Sequence, residues 1–172
     1  MAISEIHHVA INVSDLERSV AFYRDALGLR KILDMKANQP ANARMLRLPQ
    51  KGFNIRSIMM TQGSSTVGEI ELMQVEPRRG TPTPPKRPDD LGMWVISFEV
   101  KGEPLADVVK RLREMDVKFF SDIVEIDLDG YATMKAVIFE DPDGNLLELV
   151  QLPTKEEYLR IKQERETQRP AK

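Results

Sequence analysis

Apolar and polar side chains alternate along Ile6-His7-His8-Val9-Ala10-Ile11-Asn12-Val13. Val9, Ile11 and Val13 fall on one face and His8, Ala10 and Asn12 on the other, the period of a strand with one buried side. Ser14-Asp15-Leu16-Glu17 follows as an S-x-x-E capping box, with Asp15 also favourably charged for a helix start. Leu16, Val20, Tyr23 and Leu27 then recur at helical spacing until Gly28, which predicts an amphipathic helix over 15–27. Leu29 to Met35 reads as a strand, and Ala41 to Leu48 as a short helix closed by Pro49 and Gly52. Ile55 to Thr61 and Glu69 to Val75 read as two further strands, separated by a Gly63-Ser64-Ser65 turn. The order is β-α-β-β-β.

Residues 76–91 hold five of the chain's eleven prolines, a density that excludes helix and central strand and predicts a linker. Alternation then resumes in Val95 to Val100, with Ile96, Phe98 and Val100 facing one way. Pro104 suits the first turn of a helix whose Leu105, Val108, Val109 and Leu112 make one apolar stripe. Phe119 to Ile126 and Ala132 to Phe139 read as strands around an Asp129-Gly130 turn, and Asp141-Pro142-Asp143-Gly144 is a strong turn before a last strand, Leu146 to Leu152. A second capping box, Thr154 to Glu157, opens a charged C-terminal helix expected to fray beyond Arg165.

The two halves align. His8 to Val13 matches Val95 to Val100, 87 positions downstream, and Ile70 to Val75 matches Leu147 to Leu152, 77 positions downstream. The smaller second offset reflects a longer β2–β3 region in the first half. Each copy is too small to close a core alone. The expected fold is therefore α+β: two tandem βαβββ modules, 5–75 and 92–152, forming one pseudo-symmetric curved mixed sheet. The linker lies between them, and a helical tail covers 153–172.

Face assignment locates the candidate chemistry. If the apolar sets of the first and last strands pack on each module's helix, His8, Glu71 and Glu148 point to the opposite side, into one shared cavity. A carboxylate in an apolar strand is costly to bury without a partner, and Ile70-Glu71-Leu72 and Leu147-Glu148-Leu149 repeat that pattern at equivalent positions. Either glutamate alone reads as a solvated position. A matched pair plus an imidazole favours a divalent cation held by His8, Glu71 and Glu148.

Composition narrows the classes. Cysteine is absent, which excludes disulfides, thiol nucleophiles and Cys-bound metals, and His7 and His8 are the only histidines, with His7 pointing to the side opposite His8 if the strand is regular. The net charge of −2 argues against a nucleic-acid partner. No apolar run reaches the roughly 18 residues of a membrane helix, and the N-terminus carries no signal pattern, so a cytoplasmic protein with no membrane partner is expected. Met45, Met59, Met60, Met73 and Met134 read as core or cavity lining. Trp94 reads as an edge or interface residue, and Arg78, Arg79, Lys86 and Arg87 as solvated loop charges.

The stretch from Ile6 to Lys31, with its His-Val-Ala-Ile-x-Val-x-Asp-Leu-x-x-Ser-x-x-Phe-Tyr-x-x-x-Leu-Gly pattern, resembles the vicinal oxygen chelate superfamily, which holds glyoxalase I, methylmalonyl-CoA epimerase, extradiol dioxygenases, and fosfomycin- and bleomycin-resistance proteins. Phe139-Glu140-Asp141-Pro142-Asp143-Gly144-Asn145-Leu146-Leu147-Glu148-Leu149 is equally similar, and the resemblance covers residues 5–152. It implies the glyoxalase-like fold, a small-molecule substrate and a homodimer. It also implies one divalent ion (Mg, Mn, Fe, Zn or Ni) on His8, Glu71 and Glu148, with Glu148 or Glu71 as the proton-transferring base. The family's second-module histidine falls on Val95, or on Trp94 if the register slips, so one ligand position is apolar. These implications favour a metal-assisted isomerase, epimerase or lyase. A metal-free binding protein of the bleomycin-resistance type is the main alternative, and a dioxygenase the third.

Overall fold

The computed structural model describes residues 5–36, 38–49, 51–63, 67–78, 89, 91–127 and 133–168, with side chains in the last helix described only for 155–160 and 163. The first half runs β1 (His8–Asn12), α1 (Leu16–Leu27), β2 (Arg30–Lys36), α2 (Pro40–Met45), β3 (Asn54–Thr61) and β4 (Glu69–Glu76). The second runs β5 (Ile96–Glu99), α3 (Leu105–Glu114), β6 (Val124–Asp127), β7 (Thr133–Glu140) and β8 (Leu146–Gln151), followed by α4 (Lys155–Gln168). The chain divides into two compact units, Met1–Pro84 and Pro85–Lys172.

Each unit builds its own sheet, in the orders β1-β4-β3-β2 and β5-β8-β7-β6. The described strands thus form two four-stranded mixed sheets, one to each βαβββ module, as the expected α+β fold requires. Each last strand inserts between the first and third strands of its own module. β1 pairs parallel with β4, setting Val9 against Ile70 and Ala10 against Glu71. β5 pairs parallel with β8, setting Ile96 against Leu147 and Ser97 against Glu148. The internal repeat therefore holds residue by residue, and Val95 stands where the first module has His8. The first module's extra length is the α2 segment between β2 and β3.

In unit 1 the core holds Leu16, Tyr23, Ile58, Met60, Ile70 and Leu72, all nearly inaccessible. Helix α1 buries Leu16, Ser19, Tyr23 and Ala26, whereas Val20 and Leu27 of the expected stripe are only half-buried. Small Ser19 and Ala26 let the helix lie close to the sheet, which rotates the buried stripe. The cap also moves. Asp15, extended at φ −141° and ψ 109°, accepts the Arg18 amide at 3.0 Å, while Ser14 instead accepts from the Arg18 guanidinium at 2.8 Å. Arg56 joins the layers, pairing with Glu17 of α1 at 2.5 Å and Asp34 of β2 at 2.8 Å. Its guanidinium holds the Asp34 carboxyl well below the usual carboxylate range. In unit 2, α3 buries Leu105, Val108, Val109 and Leu112 as the pattern predicts.

The first amides of a helix have no acceptor inside it. In both units a glutamine near the end of the last strand supplies one. Gln74 Oε1 accepts the Leu16 amide at 2.8 Å, and Gln151 Oε1 accepts the Leu105 amide at 3.2 Å. These glutamines are equivalent in the repeat and tie the central strand to the helix it carries. The turn before β8 is held by buried Asp141, whose carboxylate accepts the Asp143 amide (2.9 Å), the Asn145 amide (2.8 Å) and the Asn145 side chain (2.9 Å).

Three further expectations change. The strand expected from Phe119 begins only at Val124; Phe119 makes a single bridge to Phe139. Backbone bonds from the Phe120 amide to the Ile138 carbonyl (2.8 Å) and from the Glu140 amide to the Lys118 carbonyl (2.9 Å) make that bridge; beyond it Ser121 Oγ accepts the Ile138 amide at 3.4 Å and Asp122 pairs with Arg113 at 2.9 Å, interrupting the ladder until Val124. Met45 is 72% exposed instead of core, because α2 buries Ala43. Helix α4 continues past Arg165 to Gln168, and its capping box forms, with Glu157 accepting from the Thr154 amide (2.8 Å) and hydroxyl (2.9 Å). Most of the 76–91 linker, including Arg79, Lys86 and Arg87, lies outside the described residues, as do Ser64, Ser65 and the Asp129-Gly130 turn. Among the described residues no helix is long and apolar enough to cross a membrane.

Gln74→Leu and Gln151→Leu each strand a helix-start amide, and each is expected to cost about 1–2 kcal/mol in urea unfolding; a neutral result at either site contradicts the capping role. Asp141→Ala removes three acceptor contacts from a buried turn and is expected to cost at least about 2 kcal/mol by the same measurement.

Candidate functional site

Register and alternation bring a histidine and a glutamate together in unit 1. With Val9, Ile11, Ile70 and Leu72 toward α1, the opposite face of the β1/β4 pair carries His8, Ala10 and Asn12 beside Glu69, Glu71 and Met73. His8 Nε2 stands 3.4 Å from Glu71 Oε2, with side chains 39% and 18% exposed. Two expected site residues, far apart in sequence, thus meet on neighbouring strands.

The pair fits a cation. Two donors each about 2.1 Å from one ion at a tetrahedral angle lie about 3.4 Å apart, which matches the separation found. Imidazole nitrogen with carboxylate oxygen is also a donor set for borderline and hard divalent ions.

His7 corrects an expectation. A regular strand would turn it to the opposite side, but β1 begins at His8, so alternation does not govern His7. Its Nδ1 lies 2.9 Å from His8 Nδ1, and the two rings meet edge to face with centroids 5.1 Å apart. The His7 carbonyl accepts the Glu69 amide at 3.0 Å, which anchors this residue to β4.

Two more residues on this face escaped sequence reasoning. Glu69, opposite His8 in register, is only 5% exposed. Ser57 on β3 shares the face of Glu71, since Met59 pairs with Glu71 and Ser57 with Met73. Its hydroxyl is buried without a hydrogen-bond partner. A polar residue beside Ile58-Met59-Met60 was the available signal for Ser57, and the acid two places before Glu71 was the signal for Glu69.

Unit 2 carries the equivalent carboxylate. Glu148 is half-buried on β8 and accepts a hydrogen bond from the hydroxyl of Ser97, its register partner on β5. Ser97 occupies the place of Ala10, so the second module sets a hydroxyl beside its carboxylate where the first sets an imidazole two places earlier. Val95 occupies the histidine's place. Trp94, the other position considered, packs edge-on against Phe120 with centroids 6.3 Å apart. Among the described residues, no three His, Cys, Asp or Glu side chains are grouped to hold a metal ion.

Comparison with known proteins completes the description. The sequence model of the Glyoxalase/Bleomycin resistance protein/Dioxygenase superfamily matches residues 5–149. Virulence protein STM3117 of Salmonella typhimurium is 26% identical over 151 residues, covering 88% of this chain and 86% of that protein. Among solved structures, a glyoxalase family protein from Bacillus cereus superposes with a TM-score of 0.75 at 18% identity, covering 88% of this chain and 98% of that one. A glyoxalase family protein from Enterococcus faecalis gives 0.61 at 28% identity, covering 87% and 99%. The trypanothione-dependent glyoxalase I of Leishmania major gives 0.60 at 22% identity, covering 97% and 100%. The Bacillus and Leishmania likenesses speak for the fold alone. With the family's pattern spanning both modules, this chain belongs to the Glyoxalase/Bleomycin resistance protein/Dioxygenase superfamily.

Proposed function

We propose that the protein is a metal-dependent small-molecule enzyme of the glyoxalase type. It would catalyse an isomerisation, epimerisation or lyase step on a substrate with two neighbouring oxygen functions. The observation that carries this reading is the His8–Glu71 pair, set at 3.4 Å on adjacent parallel strands, together with Glu148 at the equivalent place in the second module. His8, Glu71 and Glu148 are the proposed ligands. A divalent ion there supplies Lewis acidity, drawing charge onto the oxygens of a bound substrate.

The chain's own residues would do the rest. Glu148, with one oxygen engaged by Ser97, has the other for the ion or for a proton, and would take a proton from the carbon beside a substrate carbonyl and return it when that oxygen is off the ion. Ser97 fixes which oxygen is presented. Glu71, the less exposed partner of His8, holds the imidazole's Nε2 side on the open face.

One observation favours a second reading. The place equivalent to His8 holds Val95, so the second module offers no imidazole beside Glu148. A small-molecule binding protein without metal is the function that follows if no ion binds.

Calorimetry with Mn²⁺ separates the two. The wild-type protein is expected to bind one ion, and His8→Ala or Glu71→Gln to weaken it at least about tenfold; a wild-type protein that binds none contradicts the metal reading and favours the binder. A second test follows deuterium entry from D₂O into 2-oxo and 2-hydroxy carbonyl compounds. Glu148→Gln is expected to slow exchange by about 10²–10⁴-fold with unchanged circular dichroism. Exchange at the wild-type rate would remove Glu148 as the base.

A further inference from the structure

His7 and His8 face each other through their Nδ1 atoms at 2.9 Å. A neutral imidazole carries one proton, on one of its two nitrogens. Between two such atoms at this distance one proton fits: two lone pairs repel, and two N–H groups collide. The tautomers of the two rings are therefore tied. The other nitrogen of His8, Nε2, is the one that faces Glu71.

We propose that His7 is the positioning residue of the candidate metal centre. Its Nδ1 accepts the Nδ1–H of His8, fixing the tautomer and ring plane in which His8 Nε2 is the unprotonated donor on the Glu71 side. This rests on the metal reading above and assigns a role to a residue that touches neither substrate nor ion.

The local structure suits that role. A hydrogen bond from a ligating histidine's second nitrogen sets its tautomer and raises its basicity, and most such partners are carboxylates, carbonyls or water. Here the partner is a second imidazole. His7 is held in place by the Glu69 amide on its carbonyl and by its ring lying edge-on to that of His8. Without an ion, the alternative tautomer places a proton on His8 Nε2, toward Glu71, and His7 becomes the donor. Two neutral rings hold two protons in either arrangement, so the pair changes tautomer with no net proton gained or lost. The imidazole partner thereby serves both states, which a carbonyl acceptor cannot do.

The test uses the full chain labelled with ¹⁵N, held well above the ordinary histidine range. In metal-free protein a ¹⁵N–¹⁵N coupling across the hydrogen bond is expected between the two Nδ1 atoms. With Zn²⁺ alone as probe, long-range ¹H–¹⁵N spectra are expected to show His8 protonated at Nδ1 and bound through Nε2. Calorimetry is expected to show His7→Leu weakening Zn²⁺ binding by about 10–100-fold. His7→Asn, whose amide oxygen accepts the same proton, is expected to restore most of it. Absence of the coupling, Zn²⁺ bound through His8 Nδ1, or unchanged affinity in His7→Leu overturns the role of His7 alone. A wild-type chain that shows the coupling yet takes up no Zn²⁺ overturns the metal reading, and the role of His7 with it.

Discussion

Parallel pairing of the first and last strands in each module is what everything else hangs on. It carries the last strand into the middle of the sheet, where one face is buried under a helix and the other carries the candidate side chains. Because side chains alternate with a period of two, a slip of one residue would turn Glu71 and Glu148 into the helix-packed layer and expose Ile70, Leu72, Leu147 and Leu149. The apolar residues flanking each glutamate therefore specify its direction. Gln74 and Gln151 lock the same arrangement from the other side, since each can reach its helix-start amide only in this register.

The two modules share a scaffold and differ in its occupants. At equivalent places the first has His8 and Ala10, the second Val95 and Ser97. The first module thus offers an imidazole with a carboxylate, the second a hydroxyl with a carboxylate. In the proposed reading this division is functional: one half contributes most of the ion's donors, and the other orients the acid that moves a proton. Repetition supplied two similar platforms, and a few side chains pointing away from the helices separated their chemistry.

Much of this was legible in the chain before any coordinates. The offsets of 87 and 77 positions revealed the correspondence of the two modules, since strand alternation and a central glutamate are strong signals at both ends. The apolar stripe of α3 was readable because its bulky residues are the buried ones. That of α1 was not, because Ser19 and Ala26 contribute closeness instead of apolar bulk, and periodicity counts only the latter. Phe119 looked like the start of a strand because its side chain is apolar, yet Ser121 and Asp122 divert the backbone through side-chain contacts that no local pattern reports. His7 was misplaced by extending alternation one residue beyond the strand's actual start. The glutamine caps and the buried Ser57 hydroxyl depend on which distant strand lies alongside, information that emerges only once the sheet order is known.

The most direct test of the account is anomalous diffraction from crystals grown with Mn²⁺. The account predicts a single strong anomalous peak bonded to His8 Nε2 and to carboxylate oxygens of Glu71 and Glu148. A peak bound elsewhere, or none with all three side chains ordered, would contradict it.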